Sequence, residues 1–283
     1  MQQYLELTKP RITALILVCT AVGYVFGSAG PVRIGTLVYA LLGTALMASG
    51  TAALNQWHEA TTDGQMRRTR LRPIPTGRIA RAHAFFFGIG LAVAGFVVLW
   101  LETNLFAALL GLFTLSSYLL IYTPMKLRSP ACTTIGAIPG AMPPLIGFVA
   151  ASGTLSREAW ALFLILFIWQ YPHFYSIAWM YRDDYARGGI RMLPVVEPDG
   201  TSTARRIIAG AVLLLPVALL PRLLGMAGSV YLATALAATV VMILFGVLFY
   251  CQRTILRAMR MLLATVIYLP ILLVVLIADR YPR

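Results

Sequence analysis

The stretch Ala84–Leu101, AFFFGIGLAVAGFVVLWL, runs for 18 residues without a single charged side chain. A helix needs about 20 mostly apolar residues to cross a bilayer, so this stretch predicts a transmembrane helix. Similar apolar stretches cover residues 12–29, 35–54, 105–122, 132–151, 159–180, 207–226, 229–250 and 261–279. The sequence therefore predicts an all-α integral membrane protein with nine transmembrane helices.

The composition of the whole chain agrees with a membrane protein. Of its 283 residues, 59% are hydrophobic and only 12% are charged, against about 25% charged residues in an ordinary soluble domain. This balance excludes a disordered protein, which needs low hydrophobicity and high charge, and argues against a soluble enzyme. Three widely spaced cysteines form no CxxC or Cys/His cluster, so neither a disulfide framework nor a zinc site is predicted.

The net charge of +13 would suggest nucleic acid binding in a soluble chain. Here the cations follow the predicted topology, because 18 of the 23 lysines and arginines lie in alternate loops. Short loops rich in Lys and Arg stay in the cytoplasm. We therefore expect the N-terminus inside, the C-terminus outside, and no nucleic acid partner. We also expect the first span, which follows Lys9 and Arg11, to be retained rather than cleaved as a signal peptide.

The fifth span is the least regular, because it contains Pro139, Pro143 and Pro144. Proline is tolerated in a membrane helix when neighbouring groups satisfy the freed carbonyls. This pattern predicts a kinked or broken helix beside a cavity.

Two loops, 55–83 and 181–206, are much longer than the others and are both predicted to be cytoplasmic. They contain six of the ten acidic residues of the chain, although they are also rich in arginine. Connections between helices usually take about 2–8 residues, and longer ones are often functional. These two loops are therefore the candidate functional segments.

The first loop places Asn55, Glu59 and Asp63 at intervals of four residues. If the helix continues past Asn55, the three side chains share one face. Mg2+ is commonly bound by one or two carboxylates together with substrate phosphates, and the arginines just downstream could grip phosphate oxygens. The alternative is a solvated loop whose acids pair with its arginines, each pair contributing about 0–1 kcal/mol.

Three other positions leave alternatives open. Asp183 and Asp184 directly follow an apolar helix. They could form a cation site, or they could belong to a salt-bridged turn that ends in two glycines. His173 lies inside the sixth span, where an ionisable residue marks a site or bonds a carbonyl freed by Pro172. Lys126 could reach a phosphate or extend to the lipid headgroups.

Several linked motifs make the sequence similar to a known family. They are Leu7-Thr8-Lys9-Pro10-Arg11, Asn55-xxx-Glu59-xxx-Asp63-xx-Met66-x-Arg68-Thr69-xx-Arg72-Pro73, Tyr122-xxx-Lys126, Gly136-Ala-Ile-Pro139-Gly140-Ala141-Met-Pro143, Trp169-Gln170-x-Pro172-His173-Phe174, and Asp184-Tyr185 followed by Gly189-Ile-x-Met192-Leu193-Pro194. Together they resemble the UbiA superfamily of intramembrane prenyltransferases, and within it the heme-farnesylating branch. The motifs end near residue 196, and the later helices match only in number and hydropathy.

The resemblance implies a single domain over residues 1–283, with its helices around a central cavity that opens to the cytoplasm of the cell inner membrane. It implies that farnesyl diphosphate and heme B react to give heme O and diphosphate. One or two Mg2+ ions would bind to the residues of the acidic motifs, which are Asn55, Glu59, Asp63 and Asp184. The remaining motif residues would contact the substrates: Lys9, Arg67, Arg68, Arg72, Tyr122, Lys126, His173, Asp183 and Tyr185.

One position departs from the wider superfamily. Quinone prenyltransferases carry a second motif of Asp-xxx-Asp, whereas Met180 stands four residues before Asp184 here. This departure favours the heme branch and leaves Asp183 to contribute in place of the missing acid.

Two other functions remain open from the sequence. The first is prenylation of an aromatic quinone precursor or a chlorophyll-type ring. The second is a transporter with proline-broken helices, against which the acids at the rim of the membrane and the lack of a clear repeat both argue. Expected partners are the lipid bilayer and the two substrates, together with contact to heme A synthase or to terminal oxidase assembly.

Overall fold

Within a bilayer the backbone can satisfy its polar groups only in helices or closed barrels, and this chain uses helices. The computed structural model describes residues 2–281, so the predicted location of the C-terminus falls outside the described residues. In chain order the helices are α1 (Gln2–Leu7), α2 (Pro10–Gly27), α3 (Ile34–Gln65), α4 (Arg81–Glu102), α5 (Leu105–Ser116), α6 (Thr123–Met125), α7 (Cys132–Gly140), α8 (Pro143–Ser152), α9 (Arg157–Met180), α10 (Arg182–Arg187), α11 (Leu193–Val196), α12 (Thr201–Leu223), α13 (Ser229–Cys251) and α14 (Ile255–Ala278).

Within residues 2–281, nine helical segments are long and apolar enough to cross a membrane, which confirms the predicted number. Several helices extend beyond their apolar stretches: α3 continues to Gln65, α12 begins at Thr201 and α14 begins at Ile255. Hydropathy measures which residues prefer lipid, whereas the helix itself continues as long as its backbone hydrogen bonds do. The predicted spans are therefore shorter than the helices at these ends.

The fifth span is broken, as its prolines predict. Helix α7 ends at Gly140, and α8 begins at Pro143, because proline lacks an N–H group and fits the first turn of a new helix. Both halves line the central cavity, α7 through Gly136 and α8 through Ile146 among others.

Small residues let the helices approach closely around this cavity. Gly147 of α8 faces α2, where an added Cβ would lie 1.9 Å from the carbonyl oxygen of Thr20. Gly23 of α2 meets the backbone of Pro144 in the same way. Small residues at membrane helix interfaces allow such backbone contact, so α2 is an integral part of the bundle. The helix contacts continue through α3, α4, α5, α7, α9, α12, α13 and α14, and α14 contacts α2.

A π-helical segment, Ser117–Tyr122, joins α5 to α6. Such segments are rare and are frequent at functional sites. Here the segment carries Tyr118 and Tyr122, and both rings line the cavity.

Candidate functional site

A cavity of about 760 Å3 lies between the helices. One end is polar, with Glu59, Asp63, Arg68 and Arg72 of the first acidic motif together with Lys9 and Lys126. The other end is apolar, lined by Cys19, Met47, Leu99, Ile146 and Leu166 among others. The site can therefore hold a molecule that is charged at one end and hydrocarbon at the other.

Helix α3 lines the cavity from its polar end to its apolar end. Because α3 continues to Gln65, Asn55, Glu59 and Asp63 share one face, and all three side chains line the cavity. The shared face predicted from the spacing required the helix to continue past Asn55, and it does. Thr44 of the same helix also lines the cavity, about 16 Å from Asn55 along the helix axis at 1.5 Å per residue.

Each polar side chain of this stripe contacts a cation from another part of the chain. The Lys126 ammonium donates to Glu59 Oε1 at 2.7 Å, and Arg72 donates to Asp63 Oδ2 at 2.6 Å. Lys9 Nζ donates to Asn55 Oδ1 at 3.2 Å. The solvated-loop alternative has the acids pairing with arginines of the same loop, which holds for Asp63 and Arg72 but not for Glu59, whose partner is Lys126. The acids are also not solvated, because the Asp63 side chain is 0% exposed and that of Glu59 only 13%.

The two lysines respond differently to this environment. Burial, followed by the nearby charges of Arg72 and Lys126, lowers the pKa of Lys9 to about 7. Burial also acts against the charge on Lys126, but Tyr122, Tyr118 and the Glu59 carboxylate outweigh it and hold the pKa of Lys126 well above its ordinary value. Lys126 is therefore a permanent positive charge at the polar end.

Aromatic rings surround the cations. Lys126 Nζ lies 4.4 Å from the ring centroid of Tyr122 and 5.7 Å from that of Tyr118. Arg68 lies over the rings of Tyr181 and Tyr185, at 5.0 and 5.6 Å. Tyr118 was missed by the sequence reasoning, although Tyr118, Tyr122 and Lys126 repeat the four-residue spacing of the acidic motif.

The second acidic motif holds the first loop in place. The Asp184 carboxylate accepts hydrogen bonds from the backbone N–H groups of Arg67 and Arg68, at 2.7 and 3.1 Å, and from the Arg187 guanidinium at 3.1 Å. These three donors use its oxygens, and Asp184 is not part of the cavity wall. The structure thus places Asp184 in a contact between loops, where the sequence predicts a metal ligand.

Two other predicted site residues do not reach the cavity. The Asp183 side chain is 81% exposed, lies 3.9 Å from Arg182 Nε and is not part of the cavity wall. Arg67 is exposed and contributes its backbone N–H to Asp184 rather than its side chain to the cavity. The salt-bridged-turn alternative describes this segment better than a cation site does.

The donor set at the polar end fits Mg2+. Asp63 Oδ1 is buried and has no hydrogen-bond partner among the described residues, and Asn55 and Glu59 add oxygens on the same face of α3. No group of three His, Cys, Asp or Glu side chains suited to a metal occurs within residues 2–281. Two carboxylates with an amide match the way Mg2+ binds through few protein ligands and substrate phosphates.

His173 lies away from the carboxylates, on the part of α9 that lines the cavity. Its Nδ1 lies 2.9 Å from Thr265 Oγ1, and its ring stacks on Trp169. The sequence alternative of a bond from His173 to a carbonyl freed by Pro172 is not what the structure contains, because the ring nitrogen contacts the Thr265 hydroxyl instead.

Comparison with known proteins places the chain in a family. Residues 16–276 match the sequence model of the UbiA prenyltransferase family. The protoheme IX farnesyltransferase of Solibacter usitatus (strain Ellin6076) is 53% identical over 99% of both chains. A solved structure of digeranylgeranylglyceryl phosphate synthase superposes with a TM-score of 0.82 at 19% identity, covering 98% of this chain and 97% of that one.

A second solved structure bears on the ligands. A UbiA homolog from Archaeoglobus fulgidus, bound to DMAPP and Mg2+, superposes with a TM-score of 0.65 at 15% identity and covers 98% of both chains. At this identity the likeness establishes the fold. Full-length similarity to the sequence relative and the match over residues 16–276 establish more: this multi-pass membrane chain belongs to the UbiA prenyltransferase family, within its protoheme IX farnesyltransferase branch.

Proposed function

We propose that this protein transfers the farnesyl group of farnesyl diphosphate to a vinyl group of heme B, giving heme O and diphosphate. The observation that carries the proposal is the two-ended cavity, in which cations and carboxylates at one end adjoin an apolar chamber at the other. A prenyl diphosphate has this same division into a charged head and a hydrocarbon tail. The relatives named protoheme IX farnesyltransferase supply the acceptor, heme B.

The cations of the polar end would bind the diphosphate. Arg68 and Arg72 line the cavity from the loop after α3, and Lys126 lines it from the segment after α6, so cations reach the head group from two separate parts of the chain. When the C–O bond of the allylic diphosphate breaks, negative charge grows on the leaving group. Positive groups fixed in advance stabilise this charge without reorganisation.

Asn55, Glu59 and Asp63 would hold Mg2+, and the structure favours these three over Asp184. Bound Mg2+ would supply Lewis-acid stabilisation of the diphosphate oxygens. Asp63 could reach the metal through its free Oδ1, whereas full use of both carboxylates would exchange partners, because Glu59 and Asp63 contact Lys126 and Arg72. The released cations are then available to the phosphate oxygens.

The apolar chamber would hold the farnesyl chain and protect the allylic cation from early capture by water. The vinyl group of the porphyrin attacks C1 of the farnesyl cation and forms the new C–C bond. Water then adds to the neighbouring vinyl carbon and loses a proton, which leaves the hydroxyethylfarnesyl substituent. The water has to enter after the C–C bond forms, so exclusion of water from the chamber before that step determines the product.

The remaining expectations complete this proposal. We propose a single domain over residues 1–283, in the cell inner membrane, with the polar end of the cavity opening to the cytoplasm. The positive charge of the loops at this end supports that orientation. Contact with heme A synthase or with the assembly of a terminal oxidase remains a prediction.

The test is the mass spectrum of hemes extracted from membranes with and without the protein, supplied with heme B, farnesyl diphosphate and Mg2+. Heme O is expected only where the protein is present. Replacing the exposed Glu102 by Gln should leave its formation unchanged. A prenylated quinone precursor in place of heme O would favour the alternative acceptor. Uptake of a substrate into proteoliposomes without chemical change would favour a transporter.

A further inference from the structure

The imidazole of His173 is held by residues from two helices. It stacks on Trp169 of α9 at 4.6 Å between ring centroids and 22° between planes. Its Nδ1 lies 2.9 Å from Oγ1 of Thr265 on α14. Trp169 also donates from Nε1 to the backbone carbonyl of Thr265 at 2.8 Å. The two helices therefore fix both the ring and the hydroxyl that it contacts.

The hydrogen bonds around Thr265 determine which ring nitrogen carries the proton. The Thr265 hydroxyl donates to the carbonyl oxygen of Leu262 at 2.6 Å. A hydroxyl has one proton to give, and with that proton on the Leu262 carbonyl, Oγ1 accepts from His173 Nδ1. This arrangement assigns the proton of the neutral imidazole to Nδ1 and leaves a lone pair on Nε2.

Nε2 has no hydrogen-bond partner among the residues that the structure describes, and the ring forms part of the cavity wall. No carboxylate among the described residues contacts the ring. A neutral imidazole with a free Nε2 is the form that ligates metals. An acceptor at Nδ1–H is the usual second contact of a metal-binding histidine, and it raises the basicity of the ligand.

We infer that His173 binds the iron of the porphyrin substrate through Nε2, and that Thr265 is the positioning residue that fixes its tautomer. This inference rests on the proposed function, because it takes heme B as the acceptor. It assigns the side of the cavity formed by α9 and α14 to the porphyrin, away from the carboxylates of α3. Among the residues that the prenylation chemistry does not use, Thr265 gains a defined role.

The experiment uses the full chain in lipid nanodiscs, titrated with hemin and, separately, with metal-free protoporphyrin IX. The wild type is expected to give the absorption and electron paramagnetic resonance spectra of histidine-ligated ferric heme. His173→Ala should lose this signature, and added imidazole should restore it. His83→Ala is the matched control, because His83 is exposed.

Thr265 is tested by the isosteric variant Thr265→Val, which removes the acceptor of the Nδ1 proton. Hemin should bind about 10-fold more weakly, in the range seen when such contacts to metal ligands are removed, while binding of metal-free protoporphyrin IX stays unchanged. The ferrous iron–histidine stretching band should also move to lower frequency. Thr265→Ser keeps the hydroxyl and should therefore show the hemin affinity and the band frequency of the wild type.

An unchanged hemin spectrum in His173→Ala would overturn the inference. If that variant cannot be isolated in a folded form, Thr265→Val decides alone, and equal affinities of Thr265→Val and wild type for hemin would overturn it. Heme O formation by the wild type separates the proposed function from the inference about His173. If the wild type forms no heme O, the proposed function fails. If heme O forms while the spectra do not depend on His173, only iron ligation fails.

Discussion

Replacing Asp63 by Asn removes one negative charge from the polar end of the cavity with almost no change in shape. The carboxylate is fully buried, contacts Arg72 at 2.6 Å, and leaves Oδ1 without a partner. Two unit charges 4 Å apart interact by about 4 kcal/mol at an effective dielectric constant of about 20. Losing one such interaction with Mg2+ in the transition state slows the reaction by about 1,000-fold.

The assay is the rate of heme O formation in membranes that contain equal amounts of each variant, measured by mass spectrometry. Asp63→Asn should lose activity by this factor and require more Mg2+ for half of its maximal rate. Glu102→Gln serves as the control for removal of a carboxylate elsewhere in the chain. An Asp63→Asn rate equal to the wild-type rate would refute the metal-binding role of Asp63.

A second variant separates this explanation from a simpler one. Asp63→Asn also leaves the Arg72 guanidinium without its carboxylate partner, and this side chain is 24% exposed. Arg72→Gln alone keeps Asp63 and should raise KM for farnesyl diphosphate without changing the Mg2+ concentration for half-maximal rate. If Asp63→Asn acted only through its unpaired Arg72, its dependence on Mg2+ would also stay unchanged.

The other predictions concern the loops and the helix packing. Asp184→Ala should destabilise the fold by about 1.5–3 kcal/mol, the contribution of hydrogen bonds to a charged group; its melting temperature should fall while the Mg2+ concentration for half-maximal activity stays unchanged. Gly147→Ala should reduce the yield of folded protein, because the new Cβ would meet the Thr20 carbonyl and overpacking costs about 1–3 kcal/mol; Gly90→Ala, with open space at that position, is the control. Lys126→Met should raise KM for farnesyl diphosphate by about 10-fold or more, the effect of one lost charge-assisted contact of about 1.5–3 kcal/mol. A normal KM in that variant would remove Lys126 from the diphosphate site.

Hydropathy and local spacing predicted much of the architecture. The nine spans follow from runs of apolar residues, and the break at Pro143 follows from the missing N–H of proline. The shared face of Asn55, Glu59 and Asp63 follows from helical periodicity once α3 is known to continue. Each of these is a local property of the chain.

Contacts between distant residues could not be read in this way. Asp184 lies 117 residues from Arg67, and its motif suggests a metal ligand because the sequence does not reveal which donors its oxygens meet. The contact between His173 and Thr265 spans 92 residues. Thr265 lies in an apolar helix beyond residue 196, where the recognised motifs end, so no motif pointed to it.

Lys9 combines two demands that conflict. It is the one non-glycine residue among those described with a positive φ, at 49°, where the chain turns from α1 into α2. A left-handed conformation costs an ordinary residue about 1–2 kcal/mol, and glycine would relieve it. Lys9 nevertheless donates from this turn to Asn55, at the polar end of the cavity, and glycine would lose that hydrogen bond. A search for thermostable variants should therefore favour glycine at position 9 at the expense of a contact inside the candidate site, so this turn is a place where stability and the site set opposite demands.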